Sequence, residues 1–313
     1  MKAAVVTDAG AIPAYADFAE PVAGPDERIV TVSAAALSPL ARVRASGKHY
    51  SSANVYPFVA GVDGIGRLDD GQKVYFFMPR GVFGAMAERT VVPTSRVIAV
   101  PEGLDDAAGA AIANPGMSSW AALTQRARLQ RGETVLINGA TGSSGQLAVR
   151  IARHLGAAKI IATGRNVAVL DRLGADVTIP LTDDFDALEA RFKLEFAAGI
   201  DVVIDYLWGP SAEHILAAAA KMARDATPVR FVQIGTMSGL DITLPGALLR
   251  SKAIELMGSG LGSVALDSLV KAVGALLGAV DDGGLSLPYE AVPLVDVATA
   301  WSRGEGDRIV FTV

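Results

Sequence analysis

The sequence contains no cysteine, which excludes disulfides and thiolate metal sites. Its three histidines, His49, His154 and His214, are too scattered to form a metal cluster. No uninterrupted apolar run reaches the about eighteen residues that a membrane span requires. The apolar stretch in the opening MKAAVVTDAG is too short for a secretory signal. No basic cluster offsets a net charge of −5 and a pI near 5.3, which argues against a nucleic-acid partner. These absences lead to the expectation of a soluble, cytoplasmic protein with neither membrane nor nucleic acid as partner. Aromatic residues make up only 6% of a chain that is 51% hydrophobic. With abundant Ala, Val, Leu and Gly, that composition fits an α/β architecture. At 313 residues the chain suits two domains or one large one.

The strongest local signal is the stretch 135–165. Val135-Leu136-Ile137 has the branching and length of a buried parallel strand. Gly139, Gly142 and Gly145 follow at three-residue spacing. Leu147, Ile151 and Leu155 then recur at four-residue spacing on one helical face, and Gly156 ends the helix. A second apolar strand, 159–163, comes next. Strand, glycine turn, helix and strand form the βαβ unit that binds dinucleotides. A pyrophosphate lies against backbone N–H groups at a helix N-terminus, where a Cβ would hold it away. Gly139, Thr141, Gly142, Ser143, Ser144 and Gly145 are therefore candidate cofactor contacts. The spacing GxxGxxG differs from the general GxGxxG, and the flanking elements carry the assignment more than the glycines do.

The second strand ends at Gly164-Arg165-Asn166. NAD sites usually place a carboxylate there for the ribose 2′-OH. A guanidinium in its place suits a 2′-phosphate, which arginine grips with two parallel hydrogen bonds. NADPH is the expected cofactor; a solvated loop arginine is the alternative reading of Arg165.

Around this unit the chain changes texture. Residues 3–7, 28–34, 73–77 and 89–93 read as short strands separated by Gly, Pro and Asp turns, which predicts a mostly β, barrel-like domain. Residues 118–129 read as a helix. Strands at 201–207 and 229–234 flanking a helix at 212–223 extend the parallel sheet, and 256–263 ends it. Leu269, Ala272, Val273, Leu276, Leu277 and Val280 mark an amphipathic helix. The alternating tail, 308–313, reads as a strand returning to the first domain. His154 falls in the last turn of the glycine-loop helix and His214 on a helix face expected to be exposed. The acidic pairs Asp69-Asp70, Asp105-Asp106, Asp183-Asp184 and Asp281-Asp282 read as solvated.

Five blocks carry a family resemblance: Leu37-Ser38-Pro39 before Arg44 and Ser46-Gly47; the stretch 61–66, Gly-Val-Asp-Gly-Ile-Gly; Ser118-Ser119-Trp120 with Ala122-Leu123; the stretch 132–145 ending on the glycine turn; and Leu173-Gly174-Ala175-Asp176. In this order the chain resembles, nearly end to end, the zinc-independent, quinone-oxidoreductase-like branch of the medium-chain dehydrogenase/reductase superfamily. The resemblance implies a GroES-like β-barrel domain plus a Rossmann doubly wound parallel-sheet domain, with the active site in the cleft between them. It places the first part of the catalytic domain at 1–115, the dinucleotide-binding domain at 116–260 and the return at 261–313. Departures bear on chemistry. The zinc-dependent members draw a metal histidine from a Gly-His-Glu stretch that reads Gly61-Val62-Asp63 here, and their cysteines are absent. Without a Lewis acid to polarise an alcohol, acceptors that take hydride unaided are expected: quinones, or α,β-unsaturated carbonyls. The usual family asparagine before proline is Ser38. By the same resemblance Ser118, Gly235, Thr236 and Gly258 are cofactor contacts, with ordinary turn glycine the alternative for Gly235 and Gly258. Tyr50 is the candidate to hydrogen-bond a carbonyl oxygen or donate a proton, and Lys48 and His49 are its neighbours on the substrate side. A homodimer formed through the sheet edge is also implied, served by 240–249 and 253–257. An NADPH-binding sensor without turnover is the alternative from another functional class.

Overall fold

The structure, a computed structural model, describes residues 1–47, 55–303 and 308–313. Lys48, His49 and Tyr50 lie outside the described residues. The elements run β1 (Lys2–Val6), β2 (Ala14–Asp17), β3 (Glu27–Ala36), α1 (Pro39–Ala45), β4 (Phe58–Val59), β5 (Asp63–Arg67), β6 (Lys73–Phe77), β7 (Arg89–Pro93), β8 (Val97–Ala99) and α2 (Asp106–Ala121). They continue β9 (Thr134–Asn138), α3 (Ser143–His154), β10 (Lys159–Gly164), α4 (Val167–Leu170), β11 (Val177–Pro180), α5 (Phe185–Ala198), β12 (Val202–Asp205), α6 (Gly209–Met222), β13 (Val229–Gln233), α7 (Gly246–Ser251) and β14 (Ile254–Gly258). The last are α8 (Leu266–Gly278), α9 (Val280–Gly283), β15 (Tyr289–Pro293), α10 (Val297–Trp301) and β16 (Arg308–Thr312). Two compact units result: 1–114 with 270–280 and 286–313, and 115–269 with 281–285.

The first unit is built from a three-stranded sheet, β2-β1-β4, and a seven-stranded sheet, β15-β16-β3-β5-β6-β8 with β7 also on β3. Short strands alternate with turns here because apolar residues recur at every second position, as in β3, where Val30, Val32 and Ala34 are buried. The tail strand β16 pairs antiparallel with β3, Val310 opposite Ala36. Three consecutive residues, Ile309, Val310 and Phe311, are buried, so both of its faces are covered, with Phe311 in a core with Val30, Val74, Phe76 and Trp301.

Two buried charges are held in this unit. Lys73 Nζ binds Asp106 Oδ1 at 2.5 Å and the carbonyls of Glu102 and Leu104, tying β6 to the start of α2. Asp106 is therefore ion-paired, contrary to its reading as solvated. Asp105 beside it accepts from the Ala108 N–H and the Tyr289 hydroxyl. Asp63 is fully buried and accepts from the Tyr75 hydroxyl at 3.2 Å. Burial pushes its carboxyl up to about 7, against the opposing pull of Arg308 and Tyr75.

The second unit holds a six-stranded, wholly parallel sheet in the order β11-β10-β9-β12-β13-β14. Leu136, Ile161, Val203 and Phe231 from its strands pack with Phe192, Phe196 and Ile215 from α5 and α6. Each such side chain contributes roughly 1.5–3 kcal/mol on burial.

The helix expected at 118–129 begins twelve residues earlier and changes at Ala122 into a π-turn through Arg126. Its first half was unreadable because Ala110, Ala111, Ile112 and Ala113 are all buried, so no polar face marks a period. Gly109, Pro115 and Gly116 add helix-breaking signals that packing overrides. His214 also departs from expectation. Its ring stacks on Phe185 at 4.9 Å and lies 3.5 Å from Glu189 Oε2, so it is half-buried rather than exposed.

Candidate active site

The sheet order reverses at β9, whose neighbours are β10 on one side and β12 on the other. In open α/β sheets the crevice outside the carboxyl ends of strands at such a reversal is where ligands bind. The glycine turn occupies that crevice. Gly139 leaves β9 with φ +87°, and a Cβ there would come within 2.8 Å of Leu207. A Cβ on Gly145 would sit 2.3 Å from the Gly139 carbonyl oxygen and 2.5 Å from Ala140 Cα. These two glycines are demanded by the fold itself.

Gly142 is different. It has ordinary extended angles, φ −77° and ψ 165°, which any residue adopts. The nearest atom to a Cβ there is 4.0 Å away. Nothing among the described residues requires its missing side chain. It is the N-cap residue of α3, and no side chain among the described residues caps that helix, so the first-turn N–H groups of Ser143 and Ser144 are left for an outside acceptor. An open cradle at an uncapped N-terminus is what an anionic group requires. Thr141 closes the turn: its carbonyl accepts from Gln146 Nε2 at 3.0 Å, and its methyl would be 2.4 Å from a Cβ on Gly164.

The remaining candidates of this unit are spread along the same sheet edge. Gly164 is the last residue of β10, and Arg165 follows it, exposed and without an ion pair among the described residues. Asn166 caps α4, accepting from the Val169 N–H at 3.1 Å. Gly235 follows β13, where a Cβ would lie 2.5 Å from the Tyr206 carbonyl oxygen. Packing alone explains that glycine. Thr236 is exposed. Gly258 ends β14 with nothing within 4 Å of a Cβ, and its carbonyl accepts from Arg126 Nε at 2.8 Å. Ser118 lies in the C-terminal half of α2, its hydroxyl donating to the Pro115 carbonyl at 2.8 Å.

Sequence reading missed the buried polar network beneath the turn. Asn138 Nδ2 donates to Asp205 Oδ1 at 2.8 Å and to Ser211 Oγ at 2.9 Å. Thr163 Oγ1 donates to Asn138 Oδ1 at 2.6 Å and accepts from the Gly139 N–H at 3.2 Å. Asp205 further accepts from the backbone of Leu207 and Trp208. The ends of β9, β10 and β12 are thus fixed to one another below the glycines. Desolvation raises the Asp205 carboxyl, opposed by hydrogen bonds from Leu207, Asn138 and Trp208. The one sequence signal was a polar residue at or near the end of each of three apolar strands.

Comparison with known proteins agrees with this geometry. Residues 145–277 match the family described as zinc-binding dehydrogenase. The probable NADPH-dependent quinone reductase tdiC of Emericella nidulans is 28% identical, covering 99% of both chains. This full-length similarity accords with the resemblance to the quinone-oxidoreductase-like branch of the medium-chain dehydrogenase/reductase superfamily. Solved structures share the dehydrogenase/reductase fold over the whole chain. A mycobacterial quinone oxidoreductase superposes with a TM-score of 0.85 at 20% identity, covering 100% of both chains. The quinone oxidoreductase of Thermus thermophilus, solved alone and with NADPH, gives 0.79 at 24% identity, again covering 100% of both. The trans-enoyl reductase pgmF of Aspergillus terreus is 25% identical over 72% of this chain and 65% of its own length. The likeness to these structures supports a fold of GroES-like β and Rossmann parts.

Proposed function

We propose that this protein is an NADPH-dependent oxidoreductase that reduces quinones by hydride transfer. The observation that carries the reading is the open, uncapped cradle at Gly142 on the α3 N-terminus, with Arg165 where NAD sites carry a carboxylate. The full-length similarity to a quinone reductase supports the acceptor class.

When bound, the dinucleotide supplies the hydride. The protein's own part is binding, orientation and protonation. Gly142, Ser143, Ser144 and Gly145 present backbone N–H groups to the pyrophosphate, with Gly139 and Thr141 shaping the turn. Arg165, beside Gly164 and Asn166, pairs with the 2′-phosphate. Ser118 would lie near the nicotinamide and phosphates, Gly235 and Thr236 would line the crevice at their strand end, and the Gly258 backbone would face the nicotinamide side. Tyr50 hydrogen-bonds the acceptor's carbonyl oxygen and donates the proton that follows hydride arrival, and Lys48 and His49 contact the substrate. The cysteine-free sequence with Val62 in the Gly61-Val62-Asp63 stretch supports chemistry without zinc. The protein acts in the cytoplasm as a homodimer, joined along β14, whose outer edge has no partner strand among the described residues.

A second acceptor class, α,β-unsaturated carbonyls, is favoured by the similarity to a trans-enoyl reductase. Oxidation of NADPH, with NADH in parallel, against a panel of quinones and enones tests all of this. Quinone-dependent turnover with NADPH well above NADH is expected. Turnover with enones alone transfers the assignment to the second class. Saturable NADPH binding without turnover on any acceptor overturns the enzyme reading in favour of a sensor.

A further inference from the structure

We infer that Tyr206 is a positioning residue for cofactor binding, acting through Ser119 on the first turn of α3; this rests on the NADPH reading above. Tyr206 follows β12 directly. Its N–H donates to the Asn138 carbonyl at 3.0 Å, and its carbonyl accepts from the Met237 N–H at 3.3 Å. The same residue therefore joins the end of β9, the glycine turn's own strand, to the loop after β13.

Its hydroxyl reaches a third element. Tyr206 Oη lies 2.7 Å from Ser119 Oγ. Ser119 Oγ also contacts the Ser144 carbonyl at 3.0 Å and the Pro115 carbonyl at 3.1 Å. Neither carbonyl can donate, and Ser119 has one proton to share between them. Either hydroxyl can donate in the 2.7 Å contact; with the Ser119 proton on a carbonyl, Tyr206 is the donor. Ser119 and Tyr206 are both buried, and the chain of hydroxyls ends on backbone carbonyls. Tyr206, whose hydroxyl also hydrogen-bonds the half-buried Ser118, acts as a strut. It runs from the strand end through Ser119 to Ser144, the second residue of the helix whose N–H groups face the pyrophosphate.

Tyr206→Phe keeps the ring and its packing, and Ser119 keeps a carbonyl partner, so the variant folds. The expected result is a Kd for NADPH raised about five- to tenfold, corresponding to one hydrogen bond. The quinone KM at saturating NADPH stays near wild type, and the thermal midpoint of the ligand-free protein falls by about 2–4 °C, the loss of one buried hydrogen bond. Ser119→Ala gives a similar loss, and the double variant is no worse than either single one, because the two act as a unit. NADPH affinity within twofold of wild type in both single variants overturns the assignment. So does a lowered thermal midpoint with unchanged affinity, which makes the bond structural only. Wild-type protein that fails to bind NADPH overturns the cofactor reading itself, which separates the two failures.

Discussion

Gly142 and Gly145 stand three residues apart in the same turn, yet adding a methyl to each has opposite consequences. At Gly145 the methyl would lie 2.3 Å from a backbone oxygen and 2.5 Å from a Cα, so backbone must move. Overpacking against atoms that cannot rotate away costs about 2 kcal/mol or more. At Gly142 the methyl meets nothing closer than 4.0 Å. Alanine is a poorer N-cap than glycine, a loss of about 0.5–1 kcal/mol. The smaller conformational freedom of the unfolded chain returns about 0.4–1 kcal/mol. The two nearly cancel. Gly142→Ala is therefore expected to keep its thermal midpoint, whereas Gly145→Ala loses about 4–8 °C at about 2–4 °C per kcal/mol. In NADPH fluorescence titration the order reverses in meaning. The stable Gly142→Ala protein loses at least about tenfold in affinity, or about 1.4 kcal/mol, because its methyl fills the space the phosphates need. Wild-type affinity in Gly142→Ala refutes the cradle. A large loss of stability in that variant refutes the claim that the fold leaves the space open.

Further outcomes follow from other sites. Arg165→Glu is expected to lower kcat/KM for NADPH by about 10- to 100-fold relative to NADH, since a carboxylate repels the 2′-phosphate; an unchanged ratio leaves Arg165 a solvated loop residue. Tyr50→Phe should reduce turnover by about a hundredfold or more with NADPH affinity intact, and full activity removes it as proton donor. The Asp63 carboxyl is raised from 3.8 to about 7 in the folded protein. Folded protein holds that proton more tightly than unfolded chain, so the group's stabilisation is complete below about pH 4 and is lost as the pH climbs to about 7. The thermal midpoint of wild type should then fall relative to Asp63→Asn between about pH 5 and about pH 8, and a flat difference contradicts the shift. Lys73→Met removes a buried ammonium bonded to Asp106 and two carbonyls, and chemical denaturation should show a loss of about 1.5–3 kcal/mol.

What the amino-acid order determined by itself was whatever short-range pattern dictates. Alternation in β3, four-residue spacing in α3, and the Gly139–Gly142–Gly145 turn between two apolar strands are local signals, and they marked the βαβ unit and its helix N-terminus directly. Arg165 at the end of β10 was legible for the same reason, because its place is counted from the strand. Tertiary structure alone decided the rest. Residues 106–117 became helix because burial on all sides removed the periodicity that would have announced it. Asp106 met Lys73 across thirty-odd positions of sequence, and Asn138, Thr163 and Asp205 met because three parallel strands end together. Only packing distinguished Gly142 from Gly145 and Gly235. A glycine looks the same in any sequence, and the atoms that would or would not touch its missing Cβ are placed there by the fold.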